Sequence, residues 1–236
     1  MPRRGQADLH LHTNFSDGWP TPAQLLRHVV NNTELDVIAV TDHDRIEGAL
    51  EAAELAVAMV RPHVIVGEEV SSRDGHIVGL FLEKRVPPGM SAAATIDAIH
   101  AQGGVAFAAH PFWRTARAVR GRSAVHGVGW LAAELDFDAI EVENSTPGFY
   151  AFNMLAHRLQ AGLRKAELGN SDAHILDAVG RAFTTFPGST PDELRRAIEN
   201  GRTRAERRRY EAIGLMRYMA WGFRHQRVDS VLAPTG

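Results

Sequence analysis

Along this chain, short apolar runs rich in β-branched residues alternate with longer stretches whose apolar positions recur at helical spacing. The runs predict strands over Asp8–His12, Val37–Thr41, Val64–Val70, His76–Leu82, Val105–Ala109, Ala139–Glu143 and Lys165–Asn170. The helices between them carry their own punctuation. Thr21-Pro22-Ala23-Gln24 and Thr190-Pro191-Asp192-Glu193 each read as a capping box with proline at the first helical position. Gly103-Gly104 and Gly201 stand where a glycine ends a helix. Alternation of this kind predicts an α/β fold with a largely parallel sheet.

The polar residues that interrupt the pattern are not scattered. Asp8-Leu9-His10-Leu11-His12 with Ser16-Asp17-Gly18, Thr41-Asp42-His43-Asp44, Gly67-Glu68-Glu69, His110-Pro111 and Asn170-Ser171-Asp172-Ala173-His174 all fall at or just past the C-terminal end of a predicted strand. Barrels of alternating strands and helices place their chemistry at that face. His76 is the exception: it opens its strand, so this segment runs antiparallel or arrives from a loop. The other six histidines, His28, His63, His100, His126, His157 and His225, lie in predicted helices or loops where surface roles suffice.

Alternate residues of a strand face the same way, which points His10 and His12 together into a barrel mouth and Leu9 and Leu11 toward the helices. Two imidazoles about 6–7 Å apart, at a rise of roughly 3.3 Å per residue, can share a metal. Asp17 adds a carboxylate in a tight turn, and imidazole and carboxylate suit the same cations. His43, flanked by Asp42 and Asp44, is either a solvated turn or an imidazole whose tautomer an aspartate fixes from behind. Glu69 can bridge two cations with its two oxygens, whereas Glu68 faces the other way. His110 can bind a metal or merely cap its strand, and Asp172 and His174 again face alike two residues apart. Each element alone leaves both readings open; together they point to a metal cluster.

Composition narrows the chemistry. With no cysteine among 236 residues, disulfides, thiolate zinc sites and cysteine nucleophiles are excluded. A net charge of −2 provides no global field to recruit nucleic acid or an anionic membrane. No segment approaches the roughly 20 apolar residues of a membrane span, and no signal-peptide pattern opens the chain, so a cytoplasmic enzyme is expected. Residues 114–129 read as a long loop at the rim of the site. From Arg202 to Arg227 arginines interleave with Tyr210, Ile213, Leu215, Met216, Met219, Trp221 and Phe223. That stretch is a docking helix for a partner or second subunit, or a terminal helix closing its own barrel with its arginines in solvent. Residues 205–236 are accordingly set apart from a barrel over residues 1–204, and homo-oligomerisation stays open.

The motifs DLHLHT with SDG, TDHD, GEE, AHP and NSDAH, spread from Asp8 to His174, resemble in combination the PHP (polymerase and histidinol phosphatase) superfamily of metal-dependent phosphoesterases. The resemblance covers about Asp8 to Arg204. It implies a distorted seven-stranded β/α barrel with a trinuclear metal centre at its C-terminal mouth. By position, His10, His12, Glu69 and Asp172 would hold the first metal. Glu69 would bridge to a second, completed by His76 and His110. Asp17, His43 and His174 would hold a third. Zn, Mn and Fe suit these ligands alike.

The chemistry expected of such a centre is hydrolysis of a small phosphorylated metabolite by a hydroxide held between two metals. Asp42 would support the site from behind its ligands, as would Glu141 or Glu143. Arg114 is the candidate grip on phosphate, and Asn144 either contacts substrate or makes a structural backbone bond. Hydrolysis of a carbamate, ester or amide on the same site is the competing reaction, and a non-catalytic metal-binding module the competing class.

Overall fold

Nine strands form one curled sheet in the order β7-β6-β5-β4-β3-β2-β1-β8-β9. They and the helices follow one another as β1 (Arg4–Asp8), α1 (Pro22–Asn32), β2 (Val37–Val40), α2 (Glu47–Ala56), β3 (His63–Ser72), β4 (Gly75–Leu80), α3 (Ala92–His100) and β5 (Val105–Ala108). The second half runs α4 (Leu131–Glu134), β6 (Ala139–Asn144), α5 (Tyr150–Ala161), β7 (Ala166–Asn170), β8 (Ala182–Pro187), α6 (Pro191–Glu199), β9 (Arg204–Arg207) and α7 (Ala212–Val231). The structure is a computed structural model that describes residues 4–113, 126–163 and 165–231, with side chains through residue 223.

The expected α/β barrel-like architecture is present, but with nine strands in place of seven. Strands β1 to β3 and β5 to β7 are parallel, and β4 runs antiparallel to both β3 and β5. The reversal of β4 brings the start of that strand, with His76, to the end where the parallel strands finish. The two extra strands add antiparallel beyond β1. The β7 edge meets β8, the strand next to the other edge, through one side chain: Thr184 Oγ1 on β8 donates to Gly169 O on β7 at 2.9 Å and accepts from Gly169 N at 3.0 Å. At the mouth, His12 N donates to Ala173 O and Ala173 N to His10 O, so the barrel is nearly closed.

Both capping boxes form as read. Thr21 accepts from Gln24 N while Gln24 accepts from Thr21 N, and Thr190 and Glu193 repeat the exchange. Inside the sheet, Leu9, Val37, Ala39, Ile65, Val78, Leu80, Phe107 and Leu168 pack against Leu194 and Ile198 of α6, which plugs the end opposite the mouth. Outside it, α1 and α2 cover Ile38 and Val40, and α3 and α5 cover Ala106, Ile140 and Val142. One local reading is corrected here. The first strand ends at Asp8, so His10 and His12 lie beyond it; Leu9 then joins the inner cluster and only Leu11 the outer one. Among the described residues no helix is long and apolar enough to cross a membrane.

Candidate metal centre

Six strand ends deliver the predicted ligands to one mouth. His10 and His12 follow β1, His43 follows β2, Glu69 lies within β3, His76 is the second residue of β4, His110 follows β5, and Asp172 and His174 follow β7. Their donor atoms fall into overlapping groups, each with atoms within 4.8 Å of one another: His12, Asp17, His43 and His174; His10, His110 and Asp172; His10, His12 and Glu69; His43, Glu69 and His76. All nine predicted ligands are therefore gathered, although the sets overlap at more residues than Glu69, the one ligand expected to be shared. His12 stands with Asp17 and His174, and His43 is shared with Glu69 and His76.

His10, His12, Glu69 and Asp172 have the spacing of a coordination polyhedron. His10 Nε2 lies 3.1 Å from Glu69 Oε2 and 3.5 Å from Asp172 Oδ1; His12 Nε2 lies 3.3 Å and 3.2 Å from the same two oxygens. Ligands about 2.0–2.2 Å from a central ion are spaced in just this way. Glu69 Oε1 faces a different pair, His76 Nδ1 at 2.9 Å and His110 Nε2 at 3.1 Å. The third corner joins His174 Nε2 to Asp17 Oδ1 at 3.2 Å and His43 Nε2 to Asp17 Oδ2 at 3.7 Å. His10 Nε2, both His12 nitrogens, His76 Nδ1 and His110 Nδ1 are buried without a hydrogen-bond partner. Buried polar atoms are nearly always paired, so this cluster of orphans, ringed by carboxylates, fits divalent cations.

The electrostatics agree. Burial opposes a proton on His10, but Asp172, Glu69 and Glu141 outweigh it and hold its pKa well above the ordinary imidazole range. Burial likewise opposes charge on Glu69, yet His43, His10 and His76 hold that carboxyl well below its usual range. Asp172 and Asp17 are lowered in the same way, each against its own burial, Asp17 chiefly by His174. His43 is different: burial pulls it down to about 4 against Glu69 and Asp17. Backbone strain marks the same place. His110 (φ 27°), Asp172 (φ 53°) and Asp44 (φ 51°) adopt left-handed conformations that L-residues disfavour and that surrounding contacts must enforce.

A buried polar layer holds the ligands. Glu141 Oε1 is bonded to His10 Nδ1 (3.1 Å) and Asn170 Nδ2 (2.9 Å); Oε2 accepts from His110 N (2.7 Å) and Asn144 Nδ2 (3.0 Å). Asp42 accepts from Thr13 N, Thr13 Oγ1 and Ser16 Oγ at 2.6–2.7 Å, and so shapes the turn that presents Asp17. Asp44 accepts from Ser71 N. Asn144 is buried and bonded to Glu141, Asp172 and Thr146, and so braces Asp172. Glu143 turns to Asn153 and His157. Glu68 points away from the cluster to Val86 N, and burial pushes its pKa up to about 7. Arg114 lies outside the described residues.

Two parts of the rim escaped the sequence reading. His126, assigned only a surface role, stacks on Trp113 (4.0 Å between ring centroids, 17°), and Trp113 lies 5.3 Å from His110 and 4.9 Å from Phe149. Across the mouth, Trp221 of α7 lies 4.3 Å from the His174 ring. On α7, Tyr218 is buried in the cluster with Leu11 and Ile175, while Met216, Met219 and Phe223 are exposed.

Comparison with known proteins places this geometry. A family model described as PHP-associated matches residues 151–203. The uncharacterized protein MJ1587 of Methanocaldococcus jannaschii is 33% identical over 151 residues, which span 59% of this chain and 82% of that protein. A 5'-3' exoribonuclease of Haemophilus influenzae is 39% identical over 84 residues, 34% of this chain and 30% of that enzyme. Among solved structures, a two-domain protein of Bacteroides vulgatus containing a predicted PHP-like metal-dependent phosphoesterase superposes with a TM-score of 0.68 at 21% identity, covering 88% of this chain and 66% of that one. The chain belongs to the PHP superfamily.

Proposed function

We propose that this protein is a metal-dependent hydrolase that cleaves phosphoric esters of small molecules. The observation that carries the reading is Glu69: its buried carboxylate turns one oxygen to His10 and His12 and the other to His76 and His110, at ligand spacings on both sides. Divalent cations bound by these residues and by Asp17, His43, Asp172 and His174 would supply Lewis acidity and activate water at neutral pH.

The chain's own groups do the rest. Glu141 holds His10 with Nε2 inward, and Asn144 steadies Asp172. Asp17 and His43, with 30% and 27% of their side chains exposed, form the side by which a substrate reaches the cluster, while His10, His12 and Glu69 are sealed from bulk water. Small esters are favoured over polymers because aromatic groups frame the mouth on both sides, Trp113 near His110 and Trp221 over His174, and a net charge of −2 supplies no global field to recruit nucleic acid. Arg114 is the proposed grip on the phosphate.

Phosphate release from a panel of small esters, beside an oligonucleotide, nitrophenyl acetate and a nitrophenyl carbamate, tests the reading. Turnover of small phosphate esters alone supports it; preference for the acetate or carbamate would move the reaction to carbon centres. Arg114→Ala is expected to raise KM for a phosphate ester with little change in kcat.

A further inference from the structure

We infer that Trp221 is a positioning residue of the metal centre, and that α7, which carries it, is one wall of the active site; the inference rests on the metal-dependent reading above. A single indole touches both members of the Asp17–His174 corner. Its Nε1–H donates to the Asp17 carbonyl oxygen at 3.0 Å, and its ring lies 4.3 Å from the His174 imidazole at 40°. Those two ligand side chains are themselves 3.2 Å apart. One helical turn earlier, Tyr218 places its hydroxyl 3.3 Å from Thr146 Oγ1, which reaches Asp172 Oδ2 at 3.4 Å. Residues three apart on a helix share a face, so one face of α7 reaches two ligand residues, Asp17 at its backbone carbonyl and Asp172 through Thr146. The helix is held in place from two points: Tyr210, just before it, lies 3.3 Å from Ser145 Oγ, and Arg217 within it donates to both carboxylate oxygens of Asp177 at 3.0 and 3.2 Å.

This cover sits where it is most needed. The Asp17 side chain is 30% exposed, whereas Glu69 and His10 are sealed inside the barrel. Asp42 fixes the start of the turn through Thr13 and Ser16, and the Trp221 indole fixes Asp17 itself at its carbonyl. Losing the indole therefore frees the Asp17 carbonyl and uncovers one face of His174, while the His10, His12, Glu69 and Asp172 set keeps its partners.

Wild-type protein, Trp221→Ala, Trp221→Phe and His174→Ala are titrated with Zn2+ alone by calorimetry, with bound metal counted by mass spectrometry and the fold checked by circular dichroism. Groups that orient ligands from behind are worth about 10–100-fold in metal affinity. Trp221→Ala should weaken by that factor the same zinc equivalent that His174→Ala abolishes and leave the remaining equivalents at wild-type affinity. Trp221→Phe, which keeps an aromatic cover but no N–H, should fall between. Wild-type affinity for every equivalent in Trp221→Ala overturns the inference, and so does a uniform loss across all equivalents. No zinc binding by the wild-type chain would overturn the metal-dependent reading itself and this inference with it.

Discussion

Glu141 Oε1 lies 3.1 Å from His10 Nδ1, and both side chains are fully buried. With that nitrogen engaged, Nε2 of the same ring faces Glu69 and Asp172. A carboxylate behind a ligating histidine fixes its tautomer and raises its basicity. Glu141→Gln removes the charge and exchanges one acceptor for a donor where all four present partners are nitrogens. Metal affinity should drop about 10–100-fold, as read by competition with a chromophoric chelator. Wild-type affinity in the variant would show that Glu141 is only a structural acceptor.

Asp172→Asn and His43→Ala act on the ligands themselves. Each should lower turnover of a phosphate ester on the order of 100-fold or more, while circular dichroism reports an intact barrel. Should either variant keep wild-type turnover at full metal load, the cluster has been assigned to the wrong side chains.

The pH dependence of the metal-free protein follows from its imidazoles. Burial opposes protonation of His174, but Asp17 and Asp172 raise its pKa from 6.5 to about 9. A base raised by folding contributes stability that is complete below its unfolded pKa and is lost as pH climbs through the folded one. His10 and His76 are raised too, against their burial, and act with the same sign. Metal-free protein should thus lose melting temperature between about pH 6.5 and 9. Metal-loaded protein, whose imidazoles have already given up their protons, should not show this loss, and loading should release protons and weaken as pH falls. A flat or rising melting temperature for the metal-free form across that window would count against the ion-paired cluster.

Gly48, in the first turn of α2, lies against Asp42 and Thr13 so closely that a Cβ would run into the Asp42 carboxylate and the Thr13 hydroxyl. Gly48→Ala should therefore displace the turn that carries Asp17. Overpacking of this kind costs about 1–3 kcal/mol, visible as a shift of the urea midpoint, and zinc affinity should fall with it. Unchanged stability would mean that α2 yields easily at this point.

How much of this the chain declares in advance depends on which surface a residue faces. The parallel strands were legible because both their faces are buried, and Val37–Val40 reads as an unbroken apolar run. His76 was legible as an anomaly, since a ligand opening its strand requires that strand to run backwards, as β4 does. Strand β9, Arg204–Arg207, carries no such signal. It joins the sheet through its backbone with its side chains largely in solvent, and its charges suit an edge. Strand β8 hid behind Thr184 and Thr185, one of which is buried to close the barrel. Asp42 could be placed near the site but not given its partners, because Thr13 and Ser16 reach it across 29 and 26 residues. The same holds for Trp221 and Asp17, 204 residues apart.

The most direct test is anomalous scattering from crystals grown with Zn2+ or Mn2+. The account predicts peaks within the ring of nine side chains: one among His10, His12, Glu69 and Asp172, another beside Glu69, His76 and His110, and a third at Asp17, His43 and His174. A metal-soaked crystal with no anomalous density at the mouth, its histidines and carboxylates paired with one another or turned apart, would contradict it.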